Sequence, residues 1–326
     1  MKILIVGFGS VGRRHFQNLL SLGETDLIFL RSHQSTLDDN ELEGFQIETD
    51  LDAALAHQPD GVIIANPTAF HLDVAIPAAR KGCHLLLEKP ISNSMDRIDE
   101  LVEALNESGA RVLVGFQFRH HPGLLQIKDW LNNETIGQIH YVRAHCGEYL
   151  PGWHPWEDYK KGYSAKKELG GGVLLTLSHP IDYLSWLFGD VKSVSGIFSP
   201  GGALGIDVEE CIDAAFNFEN GIIGSLHLDY LQRPPEHILK IIGSSGTIVW
   251  DYDGDLRINK ANIGSWETHT LPEGFSRNDL FLTEMKNFLG VIEGDEPLCS
   301  LREGIQVQKI IQAIYQAAET GQVVPV

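Results

Sequence analysis

Cysteine is scarce and scattered in this chain. Four occur in 326 residues, Cys83, Cys146, Cys211 and Cys299, and no two lie closer than 63 positions. That spacing excludes a CxxC metal or redox motif and a dense disulfide framework. Positive charge is also short, since 25 Lys and Arg stand against 44 Asp and Glu, a net charge of −19. Such a balance repels phosphate backbones and anionic membrane surfaces, so neither nucleic acid nor a membrane is expected as a partner. No apolar run approaches the roughly 18 residues of a membrane span. Met1-Lys2 leads straight into Ile3-Leu4-Ile5-Val6, without the apolar core and small-residue cleavage site of a secretory leader. The expectation is a reducing, cytoplasmic setting. Internal repeats and low-complexity linkers are lacking too.

What is present is an ordinary globular composition, 43% hydrophobic with 33 Gly and 14 Pro, and enough chain for about two domains. From Lys2 to His121, short apolar runs alternate with amphipathic segments. The strand candidates are Lys2–Val6, Asp26–Leu30, Gly61–Ala65, His84–Leu87 and Arg111–Gly115; Arg13–Leu22, Leu51–Ala56, Leu72–Lys81 and Met95–Ser108 have helical spacing. Five strands and four crossovers predict an α/β fold in which residues 1–121 form a Rossmann domain, a doubly wound parallel sheet. Beyond residue 121 the β-rich runs Gln138–Cys146, Val191–Phe198, Glu210–Phe218, Gly221–Asp229, His237–Gly243, Gly246–Asp251 and Asp255–Asn259 follow, several joined by short turns. They predict that residues 122–326 form a substrate-binding and oligomerisation α+β domain with an open, largely antiparallel sheet. Gly172–Phe188 reads as one helix. Asp279–Glu293 and Leu301–Thr320 read as helices that pack on the second sheet or return to the first domain.

Gly7-Phe8-Gly9-Ser10-Val11-Gly12 is a GxGxxG between a strand and a helical segment. In that setting glycines permit a tight turn and close backbone approach to a pyrophosphate seated on the helix N-terminus. An acidic residue about 20 positions on would bond the ribose 2′-hydroxyl of NAD. Here position 31 is Arg, followed by Ser32 and His33. An Arg can pair bidentately with a 2′-phosphate, so NADP is the preferred cofactor. NAD stays open, with Arg31 stacked on the adenine and acidic residues nearby at Asp38 to Glu41.

Two further segments, Ala65-Asn66-Pro67-Thr68-Ala69-Phe70-His71 and Gly82-Cys83-His84-Leu85-Leu86-Leu87-Glu88-Lys89-Pro90, exceed what a generic Rossmann domain predicts. With the N-terminal glycines they resemble the Gfo/Idh/MocA family of oxidoreductases, most specifically through Glu88-Lys89-Pro90. Gly170-Gly171-Gly172 followed by His179 and Asp182 looks like that family's second-domain motif, and Ala313–Val323 like its closing helix. The resemblance implies hydride transfer between the C4 of a nicotinamide and a carbinol carbon of a sugar, cyclitol or nucleotide sugar. It places Asn66, Pro67, Thr68, His71, Glu88, Lys89 and Gln117 at the cofactor, and gives Lys89 contact with both substrate hydroxyl and cofactor ribose. It also implies a homodimer or homotetramer. The pattern Gly-Gly-Gly-Val-Leu-Leu followed by Leu-Ser-His resembles members attributed to modified-sugar biosynthesis, which points to an amino sugar or nucleotide sugar.

The chemistry of the residues agrees. Oxidising a secondary alcohol needs a group to take the hydroxyl proton and a positive charge beside the developing alkoxide. Lys89 offers both. His179 and Asp182 are three apart, on one helical face, so Asp182 could orient the imidazole as an acid–base partner. The family carboxylate shortly before this histidine is replaced here by Leu175 and Thr176. Lys89 and His179 are thus the minimal proton-transfer pair, with Thr176 as a candidate for a substrate hydroxyl. Pro180 lacks an N–H and places His179 at the start of its helix, or kinks a helix that begins at Gly172. Arg119, Trp156 and Tyr163 are further substrate candidates, and Lys160, Lys161, Lys166 and Lys167 could receive an anion or form a solvated face. A metal reading of His120 with His121, or of His154 with Glu157, is rejected, because adjacent histidines point apart on regular structure and a lysine supplies the charge. Two other functions stay open: a glycoside-cleaving enzyme that oxidises its substrate transiently, and a non-catalytic dinucleotide sensor.

Overall fold

In the first four-residue strand every side chain is buried: β1, Ile3–Val6, is 0–3% exposed throughout. A strand covered on both faces reads as a continuous apolar run, the mark of a parallel sheet between helices. The structure, a computed structural model, describes residues 1–32, 40–155, 157–199 and 201–326. It divides into two compact units, Met1–Gln117 with Ser276–Gln308, and Phe118–Phe275 with Lys309–Val326.

In the first unit, β2 (Leu27–Leu30), β3 (Gln46–Glu48), β4 (Gly61–Ile64), β5 (His84–Leu87) and β6 (Val112–Val114) join β1 in the order β3-β2-β1-β4-β5-β6. All five pairings are parallel. The helices are α1 (Ser10–Ser21), α2 (Leu51–Ala56), α3 (His71–Arg80) and α4 (Ile98–Ser108). Strand order reverses between β1 and β4, and in such sheets ligands bind at the carboxyl ends of the strands flanking that switch. The sheet has six strands where the sequence shows five, because β3 is only Gln-Ile-Glu at an edge, too short and polar to register. The helix Arg277–Glu293 belongs to this unit, one of the two placements the sequence leaves open. It begins in a capping box between Ser276 and Asp279, and Asn278 donates to Asn18 Oδ1 at 2.9 Å.

The second unit is built on β7 (Ile139–Gly147), β8 (Val191–Phe198), β9 (Cys211–Phe218), β10 (Ile223–Asp229), β11 (Glu236–Gly243), β12 (Gly246–Asp251), β13 (Leu256–Lys260), β14 (Trp266–His269) and β15 (Val324–Pro325). The sheet order is β14-β13-β12-β11-β7-β10-β9-β8-β15, with β7 and β10 parallel and the other pairings antiparallel. Burial alternates along β9, with Ile212, Ala214, Phe216 and Phe218 inside, so one face of the sheet is covered and the other is open. The helices are α5 (Pro122–Asn132), α6 (Val173–Thr176) and α7 (His179–Phe188), and the helix expected at Leu301–Thr320 forms with those bounds, its residues from Lys309 on belonging to this unit. The single helix expected over Gly172–Phe188 is therefore two. Pro180 has no N–H for an interior bond and clashes with the preceding turn, so α7 starts afresh at His179 with Pro180 in its first turn. Among the described residues no helix is long and apolar enough to cross a membrane.

Candidate active site

The glycine loop lies between β1 and α1. Gly7 has φ +87°, and a Cβ there would sit 2.8 Å from Ala65 O and Asn66 N; a Cβ on Gly12 would collide with the Gly7 carbonyl. Gly9 differs, with nothing within 4 Å of its Cβ position. Two glycines thus permit packing, and the third leaves open space at the start of α1. No side chain caps α1 and its first turn holds no acidic residue. Free N–H groups and the positive end of a 12-residue helix suit a pyrophosphate. Gly12→Ala, forced against backbone, is expected to weaken NADH binding at least about tenfold, as fluorescence titration would show.

Ser10 is exposed and Val11 half-buried at the start of α1. Phe8 is 2% exposed and packs edge-on against Phe16 and Phe29 at centroid distances of 5.8 and 5.6 Å. Its side chain therefore belongs to the core. Arg31 is 3% exposed, with its guanidinium 5.0 Å from the Phe8 ring centroid, while Ser32 beside it is exposed. His33 lies outside the described residues.

The loops after β4 and β5 are tied together by His71. Its Nδ1 is 3.0 Å from Pro90 O and its Nε2 is 3.0 Å from Asn66 O, so both ring nitrogens face backbone carbonyls. Burial pushes its pKa below the ordinary value. The family resemblance implies His71 at the cofactor; in the structure it straps the two loops together. Asn66 donates to Phe70 O at 3.2 Å, and its buried Oδ1 has no hydrogen-bond partner, an orphan acceptor that suits a ligand donor. Pro67 leads into a turn whose first residue, Thr68, is 3% exposed. Glu88 is 8% exposed; its Oε1 meets His15 Nε2 at 2.7 Å and its Oε2 accepts the Lys89 N–H at 3.3 Å. Lys89, half-buried, precedes Pro90 through a cis peptide. Gln117, 5% exposed, ends the first unit.

In the second unit His179 opens α7, 9% exposed, its ring 4.7 Å from Phe118. Asp182, one turn on, is fully buried. Arg119 Nε donates to both of its oxygens at 3.1 Å, and the guanidinium NH2 group to Oδ1 at 2.7 Å. Arg119 is itself 2% exposed and lies 5.6 Å from the Trp186 ring centroid. Asp182, which the sequence offers to His179, and Arg119, which it offers to substrate, hold each other in a buried, charge-assisted ion pair. Thr176, at the end of α6, is 5% exposed; Tyr163 is 38% exposed, and Trp156 lies outside the described residues. His121 Nδ1 accepts the Gly123 N–H at 3.0 Å and so caps α5, and burial takes His120 and His121 down to about 4.

One feature of the second unit escapes sequence reading. The Gly170–Gly172 motif is a steric solution, for a Cβ on Gly171 would strike the Tyr163 and Ser164 carbonyls and one on Gly172, at φ +115°, the Glu209 carboxylate. Glu209 accepts the Leu174 N–H at 3.1 Å and the Tyr315 hydroxyl at 2.8 Å, and Tyr230 donates to Gly172 O at 2.9 Å. Burial raises the Glu209 carboxyl above its ordinary value. Glu209 sits 35 residues beyond its partner Leu174, so no local spacing announces it.

Residues 1–116 match the model of an oxidoreductase family with an NAD-binding Rossmann fold, and residues 124–249 match the GFO/IDH/MocA C-terminal domain. The chain is 25% identical over 289 residues to D-glucoside 3-dehydrogenase of Escherichia coli, covering 82% of this chain and 79% of that one. Levoglucosan dehydrogenase in complex with NADH and levoglucosan superposes with a TM-score of 0.88 at 21% identity, covering 100% and 99% of the two chains. The WlbA dehydrogenase from Bordetella pertussis, in complex with NADH and UDP-GlcNAcA, gives 0.83 at 24% identity, covering 100% and 98%.

Proposed function

We propose, from the premise that this chain belongs to the GFO/IDH/MocA family of NAD-binding oxidoreductases, that it interconverts a secondary hydroxyl and a ketone on a sugar, amino sugar or nucleotide sugar. The observation that carries the reading is the open cradle at Gly9 on the start of α1, in the same unit as the half-buried Lys89 of Glu88-Lys89-Pro90. The sugar class is supported by the glucoside, levoglucosan and UDP-sugar proteins to which the chain is similar. A bound nicotinamide would supply the hydride acceptor or donor. The backbone N–H groups of Gly9–Gly12 hold the pyrophosphate, and Asn66 with Thr68 and Gln117 lines the nicotinamide side. Lys89 takes the hydroxyl proton and its charge stabilises the alkoxide. His179 is the second acid–base group. Thr176 and Tyr163 contact substrate. Arg119 and Asp182 position α7 through their ion pair.

NADP is the favoured cofactor in this reading, through Arg31 at the end of β2. Arg31→Asp is expected to move the NADPH/NADH affinity ratio toward NADH by about tenfold or more, since a carboxylate repels the 2′-phosphate and bonds the 2′-hydroxyl. An unchanged ratio in paired titrations would remove Arg31 from cofactor choice. The four cysteines are free, which suits a reducing cytoplasmic setting. The open sheet face is the surface assigned to homodimer or homotetramer formation, to be checked by light scattering. The experiment for the whole reading is a screen of sugars, sugar acids and UDP-sugars for reduction of NAD or NADP. Accumulated reduced cofactor supports a dehydrogenase. Glycosidic cleavage without accumulation would favour the transient-oxidation enzyme, and no turnover with tight NADH binding would favour a sensor.

A further inference from the structure

Beside the Glu88–Pro90 turn lies a buried cluster that this function does not use. His15 on α1, Glu88 at the end of β5 and Glu284 on the Arg277–Glu293 helix offer ligand atoms that all lie within 4.8 Å of one another. They are 0%, 8% and 1% exposed. Glu88 is satisfied through His15 and the Lys89 amide, but neither Glu284 oxygen has a hydrogen-bond partner, and His15 Nδ1 has none either. A carboxylate so buried, close to a second carboxylate and without a donor, is costly. A proton on Glu284 removes that cost, turning an orphan acceptor into a donor beside two acceptors, the Glu88 carboxylate and the imidazole.

We propose that Glu284 is a positioning residue: as a neutral carboxylic acid it donates a hydrogen bond into the His15–Glu88 pair and so fixes the turn that carries Lys89. The titratable groups beside it are His15 from α1 and Glu88 from the β5 end, and Lys89 and His71, from α3, act in turn on Glu88. Arg14 lies over Phe281 at 4.4 Å, one turn from Glu284. Burial, then the Glu88 charge, pushes the Glu284 carboxyl well above its ordinary value. Burial alone would raise Glu88 too, but His15, Lys89 and His71 outweigh it and leave Glu88 below its ordinary value. Glu88, with donors from His15 and the Lys89 amide, is the carboxylate of the pair, and Glu284, with none, is the acid.

A carboxyl raised in the folded state stabilises fully below its unfolded value, about 4.3, and loses that contribution as pH rises toward the folded value. Glu284→Gln keeps a neutral donor of the same size and has no such loss. The folding equilibrium constant of Glu284→Gln is expected to gain on that of wild type by up to about tenfold per pH unit between about pH 5 and the folded value of Glu284. The link to Lys89 rests on reading the Glu88–Pro90 turn as part of the cofactor site, so NADH is the second probe. Glu284→Gln should keep NADH affinity within about threefold, whereas Glu284→Leu, which fills the space without a donor, should lose about tenfold. Wild type that binds no NADH would defeat the cofactor-site reading, while the pH arm still tests Glu284. Parallel stability–pH curves for wild type and Glu284→Gln, Leu binding NADH like wild type, or a stoichiometric metal ion in the purified protein that Glu284→Gln lacks, would each overturn the proposal. If Glu284→Leu does not fold, the Gln comparison decides.

Discussion

Replacing Lys89 with alanine is expected to lower kcat by roughly 10²–10⁴-fold, the range spanned by loss of a general acid–base group. NADH affinity should change far less. The dinucleotide is held mainly by the glycine loop and the start of α1, whereas Lys89 acts where the hydroxyl proton leaves and charge develops. An interaction made chiefly in the transition state lowers kcat and kcat/KM together and leaves ground-state binding nearly intact. Steady-state kinetics on the substrate found by the screen, alongside NADH titration, separates the two effects. A variant within a few-fold of wild-type kcat would remove Lys89 from the chemistry, and one that loses NADH altogether would make it a cofactor-binding residue.

The largest stability effect is expected at Asp182. Asp182→Ala leaves the guanidinium of Arg119 charged, 2% exposed and without its carboxylate, a situation that costs about 3–5 kcal/mol. Denaturant unfolding would measure it. The double variant Arg119→Met with Asp182→Leu removes both charges and is expected to recover most of that loss, since an apolar pair of similar volume often replaces a buried ion pair without penalty. A cost below about 1 kcal/mol for Asp182→Ala would show that water or another acceptor reaches Arg119. His179 opens the helix that Asp182 anchors, so kcat should fall in the single variant beyond what lost stability explains, and return in part in the double.

Much of this architecture is legible in the sequence because its signals are local. Ile3–Val6 and the glycine loop announce themselves within a few residues, through apolar runs and missing Cβ atoms, whereas Pro180 left a helix start and a kink both open. The misses share a different cause. β3 is a short polar edge strand whose only apolar residue is Ile47, and β15 is two residues at the chain end. Helical spacing says nothing of the guanidinium that holds Asp182, which comes from 63 residues away. The family resemblance names His71 and Glu88 at the cofactor, but nothing local announces that their polar atoms also meet Pro90, Asn66 and His15. Glu284 carried no signal at all, since a carboxylate at one position of an amphipathic helix normally marks the solvent face. Long-range pairing of buried polar groups decides these roles, and periodicity carries no information about it.

The central claim is that a hydride passes between a sugar carbon and the nicotinamide, and isotope transfer tests it most directly. Once the screen has identified a substrate, it should be prepared with deuterium on the oxidised carbon and incubated with enzyme and oxidised cofactor. Mass and NMR analysis would then locate the label. One deuterium at C4 of the reduced nicotinamide per ketone formed is the predicted result; label released to solvent, or product formed with no deuterium ever reaching the cofactor, would contradict the account.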